Sequence, residues 1–227
     1  MIRLENVSKT FKTGTHGLLD ITLSVEKGEF IFLVGPTGSG KTTLFRLLIR
    51  ETLPSKGKIA VADLDVSKLP RHKIPNLRKK IGVIFQDLKL LWDLTIFENV
   101  ILPLEFFKID RKEARKKVED LLEQVGIGMH KDKFPVQLSG GELQRAAIAR
   151  ALVLSPDILL ADEPTGNLDP KTSKDIIKLL SDINAKGTTI VMATHNMEIV
   201  NSLSKRVVGL EKGKLVRDEK KGRYESS

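Results

Sequence analysis

Four short runs of consecutive apolar residues are the strongest pattern in the chain. They read FIFLV at 30–34, IGVIF at 81–85, DILLA at 157–161 and TTIVMA at 188–193. Runs of this length without polar alternation are typical of strands that are buried on both faces, and helical segments separate them along the chain. We therefore expect an α/β fold with a mostly parallel sheet that is covered by helices on both faces.

The first 25 or so residues alternate between polar and apolar positions, which predicts antiparallel strands, and so does the turn sequence EKGK at 211–214. Residues 87–155 have helical spacing instead. Within this region RKEARKKVEDLLEQVG ends at Gly126, a natural helix stop, and its apolar positions lie on one helical face. Those positions are Ala114, Val118, Leu121, Leu122 and Val125.

These patterns predict a single domain that spans residues 1–227. Residues 1–86 and 156–227 are expected to form the α/β core with an antiparallel β subdomain, and residues 87–155 an inserted α-helical lobe. No apolar run reaches the roughly 18 residues that a membrane helix needs, and the N-terminus has no apolar signal region. The chain has no cysteine, which excludes disulfides and thiolate metal sites. Together these features favour a cytosolic protein.

Basic residues outnumber acidic ones, and the formal net charge is +9. Residues 68–80 carry six Lys/Arg and no acid, and residues 205–223 carry eight Lys/Arg against three acids. Such a balance suits nucleic acid, an anionic membrane surface or a polyanionic ligand. For each run alone, a solvated face is the preferred interpretation. Aromatic residues make up 5% of the chain, too few to indicate base stacking on single strands.

GPTGSGKT at 35–42 matches the phosphate-loop pattern G-x-x-x-x-G-K-[ST] between a predicted strand and a predicted helix. Its glycines allow backbone N–H groups to turn inward around phosphate oxygens. Lys41 supplies a charge for the β and γ phosphates, Thr42 a hydroxyl for Mg²⁺ and Thr43 a further donor. The residues expected to bind nucleotide here are Gly35, Pro36, Thr37, Gly38, Ser39, Gly40, Lys41, Thr42 and Thr43.

Polar side chains follow three of the predicted strands. Asp162 and Glu163 end ILLADEP, and because neighbours on a strand point to opposite sides, Asp162 is expected to hold Mg²⁺ and Glu163 to act as general base. His195 follows TTIVMAT, where ligands of open α/β sheets bind, and is interpreted as a γ-phosphate contact. Gln86 is expected to reach Mg²⁺ or the attacking water. The alternative is that His195 and Gln86 are capping residues without chemistry.

The three other histidines, His16, His72 and His130, lie in polar, loop-like sequence and are expected at the surface. The stretch LSGGELQRAAIARAL at 138–152 contains neither a nucleophile beside a base nor metal-ligand spacing. Ser139 and Glu142 have the spacing of a capping box, and two glycines keep the approach to the helix bare. A bare, capped helix N-terminus is suited to binding an anion.

The motifs GPTGSGKT, IFQD, LSGGE, ILLADEP, GNLD and ATHN occur in this order. In this respect the chain resembles the nucleotide-binding subunit of ATP-binding cassette systems over essentially its whole length. The resemblance implies a P-loop NTPase fold of that type, ATP and Mg²⁺ as cofactors, and an ATP-dependent homodimer. It also implies that Ser139, Gly140 and Gly141 of one chain contact the γ-phosphate of ATP that the other chain holds.

Two further roles follow from the resemblance. Phe11 lies where the family places an aromatic residue, usually tyrosine, that stacks on adenine. Asp169 belongs to the loop that couples the two nucleotide sites. Family members often have SALD there, and Gly166 and Asn167 replace the first two residues in this chain.

HKIPNLRKKIGVIFQDLKLLWDLTIFENV at 72–100 resembles the cell-division branch of the family. This implies an FtsX-like integral membrane partner, a peripheral location on the cytoplasmic face of the inner membrane, and a role in activating cell-wall hydrolases. An ATPase of lipoprotein release or macrolide export is an alternative, and the ATPase head of a chromosome-maintenance protein is a remote one. LKLLWDL at 88–94 either lines a groove for the partner or packs in the protein's own core, and the sequence favours neither.

Overall fold

The computed structural model describes residues 1–220 and 222. Its strands are β1 (Ile2–Thr10), β2 (His16–Val25), β3 (Phe30–Val34), β4 (Lys56–Val61), β5 (Leu64–Asp65), β6 (Ile81–Ile84), β7 (Ile158–Asp162), β8 (Thr189–Ala193), β9 (Arg206–Glu211) and β10 (Lys214–Glu219). Its α-helices are α1 (Lys41–Leu48), α2 (Ile74–Lys79), α3 (Ile96–Phe106), α4 (Arg111–Gln124), α5 (Gly140–Leu152), α6 (Pro170–Ala185) and α7 (Met197–Leu203).

The four apolar runs form four adjacent strands of a six-stranded sheet with the order β10-β9-β3-β8-β7-β6. All neighbours from β9 to β6 pair in parallel, and only β10 is antiparallel. The predicted parallel α/β core is confirmed. The strands β3, β6, β7 and β8 are mostly apolar and buried because both faces of this part of the sheet are covered.

Alternate residues of each central strand enter two separate hydrophobic cores. In β3, Phe30, Phe32 and Val34 join the core that contains α3, α4, α5 and α6. Ile31 and Leu33 join the core on the other face, together with α1 and the antiparallel strands. This period of two follows from the pleat of a strand, and it explains how one short run holds two layers together.

The antiparallel strands predicted near the N-terminus are also confirmed. They form a four-stranded sheet in the order β2-β1-β4-β5, and the hairpin predicted at 211–214 joins β9 to β10. Gly213 of that hairpin donates its N–H to the Ser39 carbonyl and accepts from the Leu19 N–H, so the hairpin links the phosphate loop to β2.

The region at 87–155 is helical, as its spacing predicts, and α4 ends just before Gly126, whose φ is +77°. Four of the five predicted core positions of α4 are buried, and Leu121 is partly buried. Because α3, α4 and α5 share their core with one face of the sheet, the division into a core and a lobe stays a prediction. Within the described residues, no helix combines the length and apolarity needed to cross a bilayer.

The basic runs are only partly the solvated faces that the sequence predicts. Lys68, Arg71 and Lys73 are exposed. Arg206 is instead well covered, since its guanidinium pairs with both Asp218 and Glu29. These contacts raise the pKa of Arg206 above its ordinary value, the bond to Asp218 having the largest effect. Residues 221 and 223 of the second run lie outside the described residues.

Candidate functional site

The carboxyl ends of four parallel strands meet at one edge of the sheet. β3 leads into the phosphate loop, β8 toward His195, β7 into Asp162 and Glu163, and β6 toward Gln86. These strands are adjacent in the sheet order β3-β8-β7-β6. The topology therefore places the predicted residues of all four strands along one edge, which is where open α/β sheets bind ligands.

The phosphate loop is a tight turn that glycine alone can make. Gly35 and Gly40 have φ values of +145° and +113°, a region that other residues rarely adopt. A Cβ on Gly40 would lie 2.6 Å from the Gly17 carbonyl oxygen, and one on Gly35 would lie 2.1 Å from the Leu210 carbonyl oxygen. The neighbouring strands therefore leave room only for backbone at these two positions.

The Lys41 ammonium group closes this loop from within. Its Nζ donates to the carbonyl oxygens of Gly35 at 2.6 Å and Pro36 at 3.1 Å, and it lies 3.4 Å from the Ser39 hydroxyl. Burial lowers the pKa of Lys41, while the charges of Glu163 and then Asp162 act to raise it. A partly desolvated cation at the centre of a backbone loop is suited to an anionic ligand.

Thr42 and Asp162 are brought together across 120 residues of sequence. The Thr42 hydroxyl donates to Asp162 Oδ2 at 3.2 Å. Burial raises the pKa of Asp162, the bond from Thr42 lowers it, and the charge of Glu163 raises it further. A hydroxyl and a carboxylate side by side are hard oxygen donors of the kind that Mg²⁺ takes together with substrate phosphates.

The sequence interpretation assumed that Glu163 belongs to the strand, and this is wrong. β7 ends at Asp162, and the φ of Glu163 is +49°, so strand alternation does not decide where its side chain points. The two carboxylates are distinguished by their partners instead. Asp162 is paired with Thr42, and Glu163 Oε1 lies 2.7 Å from His195 Nδ1.

The pair of Glu163 and His195 is asymmetric in its exposure. The side chain of Glu163 is 9% exposed and that of His195 is 70% exposed. The imidazole therefore reaches a nearly buried carboxylate from the solvent side. An acid–imidazole pair beside a phosphate loop is suited to moving a proton and holding its orientation.

Phe11 lies close to the start of α1. A Cβ on Gly17 would be 2.8 Å from the Phe11 ring and 2.9 Å from the Thr43 methyl group, so Gly17 fits between the two side chains. The Phe11 side chain is also near the Lys9 ammonium, 5.5 Å from the ring centroid. The predicted aromatic position therefore borders the phosphate loop. Gly17 was not recognised from the sequence, because only the fold brings these segments together.

The predicted capping box of α5 is present. The Ser139 N–H donates to Glu142 Oε2 at 2.7 Å, the Ser139 hydroxyl donates to the same oxygen at 2.6 Å, and the Glu142 N–H donates to Ser139 Oγ at 3.4 Å. In residues 1–220 and 222, no hydrogen bond or ion pair joins residues 139–141 to the phosphate loop. We call residues 139–141 the signature tip.

The signature tip contacts the start of α6 instead. A Cβ on Gly141 would lie 2.6 Å from the Thr172 methyl group, and one on Gly140 would lie 3.4 Å from Leu168. Asp169 caps α6 by accepting from the N–H groups of Lys171 and Thr172, and these bonds hold its pKa below the ordinary value. The structure thus brings Asp169 beside the signature tip, around a cavity of about 330 Å³.

His130 is not the surface residue that its loop-like sequence predicts. Its side chain is only 16% exposed, and its Nε2 lies 2.9 Å from Glu142 Oε1. The residues just after the short 3₁₀ turn that carries it are bonded to the start of α3, because the N–H groups of Ile96 and Phe97 donate to the carbonyl oxygens of Lys133 and Lys131. Tertiary contacts therefore override the polar local sequence. His16 and His72 are exposed, as predicted.

Two residues that the sequence interpretation missed hold the loop after Gln86. Arg150 of α5 donates to the carbonyl oxygens of Leu88 and Lys89, both at 2.6 Å. Asn99 of α3 is fully buried, and its side-chain amide binds the main chain of residues 91, 94 and 95. No local pattern reveals these contacts, because both side chains act on the backbone of a separate segment.

Part of the apolar stretch LKLLWDL at 88–94 packs in the protein's own core, and that the stretch lines a groove for a partner stays a prediction. Leu90 is buried in the helical core, whereas Leu91 and Trp92 are 45% and 62% exposed. A groove of about 640 Å³ lies next to this stretch, and Lys89 is the residue of the stretch that lines it. Further lining residues are Ile74, Pro75, Arg78, Phe85, Phe106 and Phe107.

The comparisons with known proteins agree with this geometry. A family model described as ABC transporter matches residues 18–166. The chain is 47% identical over 226 residues to the cell division ATP-binding protein FtsE of Bacillus subtilis, covering 100% of this chain and 99% of that protein. It is 48% identical over 225 residues to the FtsE protein of Mycobacterium tuberculosis, covering 99% and 98% of the two chains.

A solved structure is similar along the whole chain. It is the dimeric post-hydrolysis state of the ATP-binding cassette MJ0796 bound to ADP and Pi, with a TM-score of 0.89 and 36% identity. The match covers 99% of this chain and 100% of the other. The sequence motifs, the sheet edge and these similarities lead to one assignment: the chain belongs to the ABC transporter family and is an ATP-binding cassette of that family.

Proposed function

We propose that the chain is the ATP-hydrolysing subunit that drives an FtsX-like membrane partner in bacterial cell division. The ATPase activity is supported by a phosphate loop that has acid and imidazole groups beside it. The same chain carries a signature tip that, within the described residues, makes no hydrogen bond or ion pair to that loop. A second copy would supply the missing contact. Full-length similarity to cell division ATP-binding proteins favours the division role over lipoprotein release, macrolide export and chromosome maintenance.

Thr42 and Asp162 would hold Mg²⁺, with Gln86 as a further ligand. The fit is supported by the converging hydroxyl and carboxylate oxygens at the end of β7. In the described part of the chain, no group of three or more histidine or carboxylate side chains is close enough to hold a metal ion by itself. Mg²⁺ is usually bound through one or two carboxylates together with phosphates, where it neutralises their charge.

Glu163 would act as the general base, accepting a proton from the water that attacks the γ-phosphorus as the bond to the bridging oxygen of ADP breaks. His195 would hold that carboxylate through its Nδ1 and face the γ-phosphate. Lys41 and the loop around it would bind the β and γ phosphates, and Phe11 would stack on adenine. Since positioning and charge dominate phosphoryl transfer, these few groups suffice.

Two chains would pair head to tail in the ATP-bound state. The signature tip of one chain would contact the γ-phosphate bound by the other, and Asp169 would lie at the junction between the two sites. ATP would stabilise the pair because its terminal phosphate is held from both sides, whereas ADP lacks that phosphate. Hydrolysis would therefore reopen the pair, because the contacts that distinguish the two states disappear.

Glu163→Gln tests this scheme. The variant keeps the shape of the site but removes the base, so we expect ATP turnover to fall by at least about 100-fold. It should form a dimer with Mg-ATP and not with Mg-ADP, as measured by analytical ultracentrifugation. Glu26→Gln changes an exposed glutamate far from the sheet edge and serves as the control. A Glu163→Gln chain that stays monomeric in saturating Mg-ATP would count against a shared site.

The groove beside residues 88–94 would receive a cytoplasmic element of the membrane partner. Its lining includes the aromatic residues Phe85, Phe106 and Phe107, and three cations, Arg78, Lys89 and Arg150, against the single acid Glu51. This chemistry suits an amphipathic helix with acidic flanks. Such docking would hold the chain as a peripheral subunit at the cytoplasmic face of the inner membrane.

Phe106→Ala tests the groove, because Phe106 lines it and is 69% exposed, so its removal should cost little stability. We expect this variant to lose co-purification with the FtsX-like protein while it keeps its affinity for ATP. Phe134→Ala is the matched control, since Phe134 is exposed elsewhere. Trp92→Ala shows whether the docking surface extends beyond the groove. Unchanged recovery of the partner with Phe106→Ala would refute the groove.

A further inference from the structure

The two carboxylate oxygens of Glu142 have different partners. Oε2 accepts the N–H and the hydroxyl of Ser139, at 2.7 and 2.6 Å. Oε1 lies 2.9 Å from His130 Nε2. The side chain that caps α5 is therefore held from two sides, by the serine of the signature tip and by an imidazole from a different segment.

This arrangement poses an electrostatic problem for binding a phosphate. The bonds from Ser139 hold the pKa of Glu142 below its ordinary value, so the carboxylate is ionised at neutral pH. Its charge lies within hydrogen-bond distance of the hydroxyl that is proposed to face the γ-phosphate. Two negative groups at such short range repel each other unless a nearby donor draws charge from one of them.

His130 is well placed to be that donor. The residues just after the 3₁₀ turn that carries it are bonded to the start of α3 through the carbonyl oxygens of Lys131 and Lys133, so main-chain bonds as well as Glu142 hold this segment in place. Its Nδ1 is buried and unpartnered, so within residues 1–220 and 222 Glu142 is the only polar partner of the ring. The charge of Lys133 also helps to lower the pKa of Glu142.

We infer that His130 is a positioning residue for the shared nucleotide site. By donating from Nε2 to Glu142 Oε1, it keeps the carboxylate turned away from the phosphate and draws negative charge off the oxygen that holds Ser139. The Ser139 hydroxyl can then exchange its bond to Glu142 for one to the γ-phosphate held by a second copy. This inference rests on the proposed head-to-tail dimer, and it names the residue that sets the affinity of the signature tip.

The test measures ATP-dependent dimerisation in a Glu163→Gln background, which keeps ATP intact. His130→Leu removes the donor, and we expect it to raise the protein concentration for half-dimerisation in Mg-ATP by about tenfold, the effect of losing one hydrogen bond to a charged group. His130→Lys should restore dimerisation, because an ammonium group can pair with the same carboxylate. The affinity of the monomer for Mg-ATP should not change in either variant.

His72→Gln is the control, because His72 is an exposed histidine of the segment before α2. If His130→Leu does not fold, His130→Met replaces it, since a thioether side chain has no hydrogen-bond donor and a weakened dimer is again expected. A His130→Leu or His130→Met chain that dimerises like the parent would overturn the inference.

A double-mutant cycle separates this role from a structural one. In a chain that carries Glu142→Gln, the charge to be screened is gone, so His130→Leu should have little further effect on dimerisation. Losses that simply add would overturn the inference. If the Glu163→Gln parent does not dimerise in Mg-ATP at all, the proposed shared site fails instead, so the two failures are distinguishable.

Discussion

The phosphate loop and the signature tip both lie at the start of a helix, but their surroundings differ. The loop before α1 is at the edge of the sheet, where β7 and β8 bring Asp162, Glu163 and His195 beside Lys41. The tip before α5 is bonded to the capping Glu142 and lies beside a second carboxylate, that of Asp169. One region can therefore bind an anion and do chemistry, whereas the other can contribute only neutral donors.

This difference explains why neither region is a complete site. A helix N-terminus that carries a carboxylate has little net attraction for phosphate, so the signature tip is useful only where another loop already holds the ligand. In the proposed pair, the tip of the other chain would supply a contact to the γ-phosphate that the phosphate loop holds. We therefore expect mutations of the phosphate loop to affect nucleotide binding and mutations of the signature tip to affect pairing.

The largest effect is expected from mixing two inactive chains. Lys41→Met should abolish nucleotide binding, and Ser139→Leu should block the tip, so each alone should hydrolyse almost no ATP. In a head-to-tail pair of the two variants, one site carries both changes and the other carries neither. We expect about one quarter of the wild-type ATPase rate in an equal mixture, since half of the pairs are mixed and each has one of two sites intact. A mixture as inactive as its components would show that the loop of one chain and the tip of the other do not form a shared site.

A smaller effect is expected from the glycines of the tip. Gly141→Ala adds a methyl group 2.6 Å from the Thr172 side chain, whereas Gly140→Ala adds one 3.4 Å from Leu168. Overpacking of this kind costs about 1–3 kcal/mol, so Gly141→Ala should weaken ATP-dependent dimerisation by roughly tenfold or more. Titration with a fluorescent ATP analogue should show unchanged binding to the monomer. Equal behaviour of the two alanine variants would mean that contact with α6 does not shape the tip.

Arg150→Met tests whether the signature helix also holds the loop after Gln86. The change removes both bonds to the carbonyl oxygens of Leu88 and Lys89, and we expect Tm to fall by about 4–6 °C for a loss of roughly 2 kcal/mol. Trp92 is the only tryptophan, so a lower fluorescence anisotropy would report a looser loop directly. The control is Arg71→Met, at an exposed position. Unaltered anisotropy would show that Asn99 alone fixes this loop.

The smallest effect concerns Asp162 in the nucleotide-free chain. Burial raises the pKa of this carboxyl, so the folded chain binds its proton more tightly than the unfolded chain does. The resulting stability is present at low pH and is lost as the pH rises through the folded pKa. Asp162→Asn should therefore raise Tm by about 2 °C at neutral pH, with a gain that shrinks toward acid pH, while ATPase activity is lost. Asp63→Asn, at an exposed position, is the control. The same gain in Tm for Asp63→Asn would contradict this reasoning.

Much of the molecule followed from local pattern. The fully apolar runs at β3, β7 and β8 predicted buried parallel strands, because no polar face is left for water. The glycine spacing at 35–42 predicted a phosphate loop, because only glycine adopts the backbone angles found at Gly35 and Gly40. The spacing of three between Ser139 and Glu142 predicted a capping box. Each of these features depends on residues that are close in sequence.

Other features were decided only by tertiary structure. Polar loop sequence around His130 gave no sign that its side chain would be largely buried and pair with Glu142. Strand alternation suggested opposite directions for Asp162 and Glu163, but Glu163 lies after the end of β7 in the left-handed region. The two carboxylates are therefore distinguished by their hydrogen-bond partners. The contacts of Arg150 with residues 88 and 89 and of Gly17 with Phe11 and Thr43 join segments far apart in sequence. The sequence by itself determined the elements and the nature of the ligand, since these depend on short-range geometry and residue type. Only the fold decided which side chains share a hydrogen bond, because that depends on how the sheet and helices bring distant segments within 3 Å or so of each other.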